Sequence, residues 1–339
     1  MPMMKAVQLH RFGAEDVLQY DEVAIPPPGP REILIKVQAA AINHRDLFIR
    51  QNGNIHIGPA DLPLILGSEV TGTVAEMGSN ISEFSLGQRV VALPAVQTRA
   101  AGTPGGKEYT GCYAQYVLAR PQDTRPLPDD IDAVTGVAGA WASLTAWYAL
   151  RAGQIKSGDL VLVHSGGSGV GVAAIQFAKH LGARVITTTG SAEKCARALS
   201  LGAEAAFNYE KQDFETEVMR LTAGRGVDLL IETMGGEVYG KSLKVLATNG
   251  RMIALGSLTG GAPALLAAAP PGRSVKRFSI TATLMEDPHA VEQLDQFFDL
   301  MRQGKLKVIV DRTFPLSEAG EAHRYIAERR NFGKVVLTT

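Results

Sequence analysis

The chain has 339 residues, 45% hydrophobic and 20% charged, enough for about two domains with a large buried core. Lys plus Arg and Asp plus Glu each total 34, so no net field steers the whole molecule to nucleic acid or an anionic membrane. No apolar run reaches the roughly 18 residues of a membrane-spanning helix, and MPMMKAVQLHRF at the start lacks a signal-peptide core.

Only two cysteines are present, Cys112 and Cys195, too few for a four-cysteine zinc lobe. Their scarcity and wide separation lead to the expectation of a reduced, cytoplasmic setting.

In chain order, residues 4–9 and 32–41 read as strands separated by the proline turn IPPPGP. NHRDLFIR at 43–50 reads as a short helix opened by a polar cap. LILGSEVTGTVAEMG at 64–78, QRVVAL at 88–93 and CYAQYVLA at 112–119 continue a β-rich body, interrupted by a polar, glycine-containing insertion at 97–111. From 131 to 151 the pattern turns helical, with Trp141, Trp147 and Tyr148. Core packing is the default for both tryptophans, and Trp141 is the better candidate for a cleft wall.

LVLVHSGGSGVG at 160–171 organises the second half. An apolar strand runs into a glycine turn, then into apolar residues at helical spacing. Such a turn admits a pyrophosphate, and the helix N-terminus offers free N–H groups to it. Gly166, Ser168 and Gly171 fill the three glycine positions of the dinucleotide fingerprint, with serine in the middle. Gly167, Gly169 and Val170 complete the expected cofactor-binding turn.

Strands at 184–189, 205–209, 228–233 and 251–256 then alternate with helices. This rhythm predicts an α/β, doubly wound parallel sheet. KRFSITATL at 276–284 is expected as an edge strand. Helix 290–303, strand 307–311, helix 317–329 and the final KVVLT are expected to complete the first domain. The domains are thus placed at 1–125 with 287–339, and at 126–286.

The second strand ends ITTTGS, with no carboxylate to accept from a ribose 2′-OH or to repel a 2′-phosphate. Gly190 and Ser191 leave room there, Lys194 lies one turn on, and Tyr209 follows the third strand. NADP(H) is the expected cofactor.

The segments AAAINHRDLFIRQNG, LGSEVTG, VHSGGSGVGVAAIQFAKHLGARVITTTGSAEK, GRGVDLLIETMGG and GKVVLT, in this order, resemble the zinc-free branch of the medium-chain dehydrogenase/reductase family. The resemblance is strongest to its NADPH-dependent quinone oxidoreductases and zeta-crystallin, and covers essentially the whole chain. It implies a GroES-like β-rich catalytic domain joined to a Rossmann domain. It also implies hydride transfer from reduced nicotinamide to a quinone or an electron-poor alkene or carbonyl.

Gly190, Lys194 and Tyr209 resemble the family's 2′-phosphate contacts, and Asn43 its asparagine near the nicotinamide. Gly256, Ser257 and Lys334 resemble further cofactor-side positions. Zinc-using relatives carry cysteine near 43, a His-Glu pair after a glycine, and another cysteine before the central helix. Here Asn43, Ser68-Glu69 and Trp141 stand instead, so no metal site is expected.

For catalysis the candidates are Asn43, which orients an acceptor, His44 as a proton relay, and Trp141 as a wall. Phe48 stands where some quinone reductases carry a tyrosine. Arg45 and Asp46 are expected in a local polar network, His164 as a packed, hydrogen-bonded residue behind the cofactor, and Tyr109 as a substrate contact. The expected partners are a small quinone, enone or alkenal substrate and a second copy joined through the 276–284 edge, with no membrane and nucleic acid disfavoured. Competing readings are an enoyl-thioester reductase using Arg99 and Lys107, a zinc-free alcohol dehydrogenase-like enzyme, and a non-catalytic crystallin-like NADPH binder or RNA binder.

Overall fold

The computed structural model describes residues 2–53, 57–94, 111–256 and 269–339. Arg99, Lys107, Tyr109 and Ser257 lie outside the described residues, as does most of the 97–111 insertion. The chain forms two compact units, one of 1–141, 281–299 and 309–339, the other of 142–280 and 300–308. Residues 126–141 and 281–286, assigned from the sequence to the second domain, pack in the first unit, and residues 300–308, assigned to the first, pack in the second.

In the first unit, β1 (Met3–Leu9) pairs antiparallel with β2 (Leu18–Ala24). The sequence reading missed β2, because LQYDEVA is mostly polar and half exposed. In β3 (Ile33–Ala41), Ile33, Ile35 and Val37 are buried while Lys36 and Gln38 face out, the period of a half-buried strand. α1 (His44–Asn52) follows directly. β4 (Leu64–Ile65) pairs with β1, and β5 (Val70–Met77), β6 (Arg89–Ala92), β7 (Tyr116–Ala119) and β8 (Thr124–Pro126) extend the body.

The helical stretch expected over 131–151 is two helices, α2 (Ala133–Ala138) and α3 (Trp141–Ala152). Asp132 caps the first by accepting from the Thr135 N–H at 2.9 Å, and Gly139 ends it. Trp147 fulfils the core-packing expectation, meeting Phe177 edge-on at 5.3 Å between ring centroids.

The second unit alternates β9 (Leu160–Val163), α4 (Gly169–His180), β10 (Arg184–Thr189), α5 (Ala192–Ser200), β11 (Ala205–Asn208) and α6 (Phe214–Leu221). It continues with β12 (Val227–Glu232), α7 (Gly236–Lys244), β13 (Leu246–Ala254) and β14 (Ser274–Arg277). The strands lie in the order β11-β10-β9-β12-β13-β14, all parallel. All four residues of β9 are buried, as expected of a strand central to a parallel sheet. Strand order reverses at β9, and doubly wound sheets bind ligands beyond the carboxyl ends at such a point.

The edge strand expected at 276–284 is corrected: β14 ends at Arg277 and α8 (Ile280–Glu286) follows. Ile, Thr and Thr favour a strand by composition. Their would-be partner β13 ends at Ala254, whose carbonyl takes the Phe278 N–H at 2.9 Å.

α9 (Gln293–Arg302) leads to β15 (Val310–Pro315), α10 (Ala319–Ala327) and β16 (Lys334–Thr338). The strand expected at 307–311 begins three residues later because Gln176 of α4 clamps Lys307 in the second unit. Its side-chain amide donates to the Lys307 carbonyl at 3.0 Å and accepts the Lys307 N–H at 2.8 Å. Back in the first unit, the larger sheet runs β15-β16-β3-β5-β6-β8, with β7 also on β3. β16 is antiparallel to β3, with Val336 opposite Ala41, and the Ile42 N–H donates to the Val335 carbonyl at 3.0 Å. That register delivers Lys334 to Asn43.

Candidate functional site

In the second unit, the turn after β9 is built by exclusion of side chains. A Cβ on Gly166 would lie 2.1 Å from Thr187 Oγ1, and one on Gly171 2.2 Å from the Ser165 carbonyl oxygen. Ser168 explains its departure from the glycine fingerprint: it is the N-cap of α4, and its Oγ accepts the Gly171 N–H at 3.0 Å. Gly169 and Val170 form the first helical turn, whose N–H groups have no partner within the helix. Gly167 lies between the turn and this cap. The arrangement fits a pyrophosphate, because a small-residue turn meets the positive end of a twelve-residue helix.

The two residues directly after β10 are Gly190 and Ser191, neither of them an acid. Ser191 caps α5 by accepting the Lys194 N–H at 3.2 Å, and a Cβ on Gly190 would lie 2.7 Å from the Tyr209 hydroxyl. Gly190 and Tyr209 are therefore neighbours at the carboxyl ends of β10 and β11. Gly256 lies just beyond β13 and is half-buried, with nothing among the described residues crowding the place of a Cβ.

His164, directly after β9, is buried. Ser242 Oγ donates to the Val238 carbonyl at 2.8 Å, so it accepts from His164 Nε2–H at 2.9 Å. Nδ1 must then accept from Thr188 Oγ1 at 2.9 Å. Burial lowers the His164 pKa to about 3, leaving a neutral ring that ties β9, β10 and α7 together. Sequence reasoning overlooked Glu232 at the end of β12. Its Oε1 accepts the Met234 and Gly235 N–H groups at 2.8 and 2.9 Å, and burial raises its pKa. A carboxylate directly before a threonine, methionine and two glycines was the available signal.

In the first unit, the positions that zinc-using relatives reserve for ligands converge on an ammonium. Lys334 Nζ donates to the Ile42 carbonyl at 2.8 Å, Asn43 Oδ1 at 2.7 Å and Glu69 Oε1 at 2.9 Å. Asn43 Nδ2 donates to the same Glu69 oxygen at 3.0 Å, and the main-chain N–H of Trp141 donates to Oε2 at 2.7 Å. Glu69 is fully buried and Lys334 is 5% exposed. Lys334, expected on the cofactor side, thus gives its three hydrogens to protein. Trp141 contributes its backbone at this cluster, and the residue as a whole is buried.

His44 is half-buried, and burial with the Lys334 and Arg329 charges lowers its pKa to about 4. It is a neutral imidazole at pH 7, not a proton-loaded acid. Arg45 Nη1 donates to the buried Ser68 Oγ at 2.9 Å, and Phe48 is exposed. Asp46 belongs to the local network, as expected. Its Oδ2 accepts from the Asn43 N–H at 2.9 Å and the Tyr113 hydroxyl at 3.0 Å, and burial raises its pKa. Tyr113 in turn meets His323 Nε2 at 3.2 Å, a partner that no local pattern announced.

Residues 201–337 match a family described as zinc-binding dehydrogenase, and residues 29–129 the alcohol dehydrogenase GroES-like domain. A 2-haloacrylate reductase of a Burkholderia species is 30% identical, covering 99% of this chain and 99% of its own. The quinone oxidoreductase of Sus scrofa is 30% identical over 99% of this chain and 98% of its own. The crystal structure of Escherichia coli quinone oxidoreductase complexed with NADPH matches with a TM-score of 0.86 and 28% identity, covering 99% of this chain and 100% of that one.

Zinc, implied by the first of those descriptions, does not fit the donor set. Asn43, Ser68 and the Trp141 backbone offer no thiolate or imidazole, and Glu69 already accepts three hydrogen bonds, one from an ammonium. Among the described residues, no three His, Cys, Asp or Glu side chains gather into a metal-holding group. With both units and the full length matched, the chain belongs to the medium-chain dehydrogenase/reductase family, in its quinone oxidoreductase branch.

Proposed function

We propose that the protein is a zinc-independent, NADPH-dependent oxidoreductase that reduces a quinone or an electron-poor alkene or carbonyl. The observation that carries this reading is the commitment of Glu69 to Lys334, Asn43 and the Trp141 N–H. With no Lewis acid available from this donor set, the fitting acceptors are those already prone to accept hydride. NADPH supplies that hydride when bound. Gly166, Gly167, Ser168, Gly169, Val170 and Gly171 hold its pyrophosphate, and Gly190, Ser191, Lys194 and Tyr209 its 2′-phosphate side. Asn43 orients the acceptor, and the neutral His44 donates or accepts a hydrogen bond without carrying a stored proton. Water protonates the reduced oxygen.

NADPH consumption by metal-stripped protein tests this against quinones, 2-alkenals, enones, enoyl thioesters and 2-haloacrylates, with NADH alongside. The Burkholderia relative's name puts the last class on the panel. Turnover of a quinone, enone or alkenal with NADPH is expected. Tight NADPH binding without turnover of any acceptor would leave a binding protein in its place.

Two substitutions test the cofactor half. Gly171→Ala drives a methyl into the backbone of the turn and should weaken NADPH binding about 100-fold, about 2.7 kcal/mol, by fluorescence titration. Ser191→Asp keeps an equally good cap but sets a carboxylate beside the 2′-phosphate. The preference for NADPH over NADH should fall about 100-fold through like-charge repulsion. An unchanged ratio would remove Ser191 from the 2′-phosphate site.

The proposal includes a cytoplasmic location, which both cysteines, free as thiols, support. Among the described residues, no helix is long and apolar enough to cross a membrane. It also includes a homodimer joined along β14, the outer strand of the six-stranded sheet among the described residues. Sedimentation of wild type and Val275→Pro measures this, with dissociation of the variant expected.

A further inference from the structure

We propose that Lys334 is a positioning residue that locks the side-chain amide of Asn43 in one of its two flip states. The inference rests on the reading that Asn43 serves the acceptor. An asparagine amide has an acceptor end and a donor end of nearly equal shape, and its neighbours alone decide which faces where. Here the neighbours carry opposite full charges. The ammonium of Lys334 claims Oδ1 at 2.7 Å, and the carboxylate of Glu69 claims Nδ2 at 3.0 Å.

Rotating the amide would press an NH2 against an ammonium and a carbonyl oxygen against a carboxylate. The ammonium and carboxylate cannot rotate away, because each is held by further bonds. Lys334 is held by the Ile42 carbonyl at 2.8 Å, and Glu69 by the Trp141 N–H at 2.7 Å. One Nδ2 hydrogen is consumed by Glu69 and one remains, on a half-buried residue at the head of α1. Lys334 therefore makes Asn43 a hydrogen-bond donor toward the acceptor and prevents it from presenting a carbonyl. A carbonyl or quinone oxygen gaining negative charge during hydride transfer is stabilised by a donor and destabilised by a carbonyl.

The pair Lys334→Met with Glu69→Gln separates positioning from simple support. In the double variant both charges are gone. The introduced glutamine can accept the Trp141 N–H with its carbonyl while its NH2 donates to Asn43 Oδ1, which reverses the Asn43 amide. Lys334→Met alone strands a buried carboxylate and should lower the thermal midpoint sharply. The double variant should regain a midpoint within about 2 °C of wild type and an unchanged NADPH affinity, while kcat stays down about 30-fold or more (~2 kcal/mol). Recovery of kcat together with stability would overturn the proposal.

A measurement on the wild-type protein covers the case in which the double variant fails to fold. With asparagine side chains labelled with 15N, the two Asn43 Nδ2 protons should exchange at rates differing at least tenfold, the slower one bonded to Glu69. In Glu69→Gln that protection should drop. Equal, fast exchange of both protons in the wild type would refute the locked amide, whether or not any acceptor is turned over.

Discussion

Glu69→Ala is expected to destabilise the first unit by about 3–5 kcal/mol, because it leaves the Lys334 ammonium buried without an anion. Among the described residues, only the Ile42 and Asn43 carbonyl oxygens would remain as its partners. Asn43 Nδ2 and the Trp141 N–H would lose their acceptor in the same step. A fall in melting temperature on the order of 10 °C follows for a unit of this size. Glu69→Gln is expected to fall between wild type and alanine. Three donors converge on the two carboxylate oxygens, and glutamine turns one of those oxygens into a fourth donor. Scanning calorimetry of the three proteins measures the order. A Glu69→Ala midpoint within about 2 °C of wild type would mean that Lys334 moves freely to solvent, ending its positioning role as well.

Acidification from pH 7 to 5 is the second large effect. His164 and His323 are buried and neutral, with pKa values lowered to about 3 by burial, and for His323 also by the Arg50 charge. Unfolded histidines titrate near 6.5. The unfolded chain therefore binds more protons below that value, and stability present above pH 6.5 is lost as the pH falls toward 3. Each ring should contribute a loss of about 2 kcal/mol between pH 7 and 5. His44, lowered to about 4, adds in the same direction, less because it is only half-buried. Asp46 and Glu232 oppose it, since their raised pKa values favour the folded state at lower pH.

Urea unfolding at both pH values should show a net loss of several kcal/mol. His323→Gln should flatten the profile of the first unit, and His164→Gln that of the second. A variant profile parallel to wild type would show that the ring in question is protonated in the folded protein. The hydrogen-bond count supports neutrality at His323: the Tyr113 hydroxyl donates to Asp46, so Nε2–H donates to Tyr113, and Nδ1 has no partner among the described residues.

The cofactor half was legible because its signals are local. LVLVHSGGSGVG declares an apolar strand, a turn without side chains and a helix start within twelve residues. The empty end of β10, ITTTGS, is equally contiguous. Even there, the reason for serine at 168 emerged only with its bond to the Gly171 N–H. Failures came where local composition competed with pairing. ITATL has the composition of a strand, but β13 ends at Ala254 and the segment opens α8 instead. The strand expected at 307 gave way to a clamp from Gln176, which is 131 positions away.

By itself the sequence determined the second unit's alternation of strand and helix and its phosphate turn, since hydrophobic period and glycine placement act over a few residues. It also determined which ligands are lacking at 43, 68–69 and 141. Tertiary structure alone decided what takes their place. Lys334 and Glu69 lie 265 positions apart, and they meet because β16 joins β3 in the register that sets Val336 against Ala41. A buried charge must find its counter-charge. Composition shows that charges of both signs exist, but only the sheet register selects the pair.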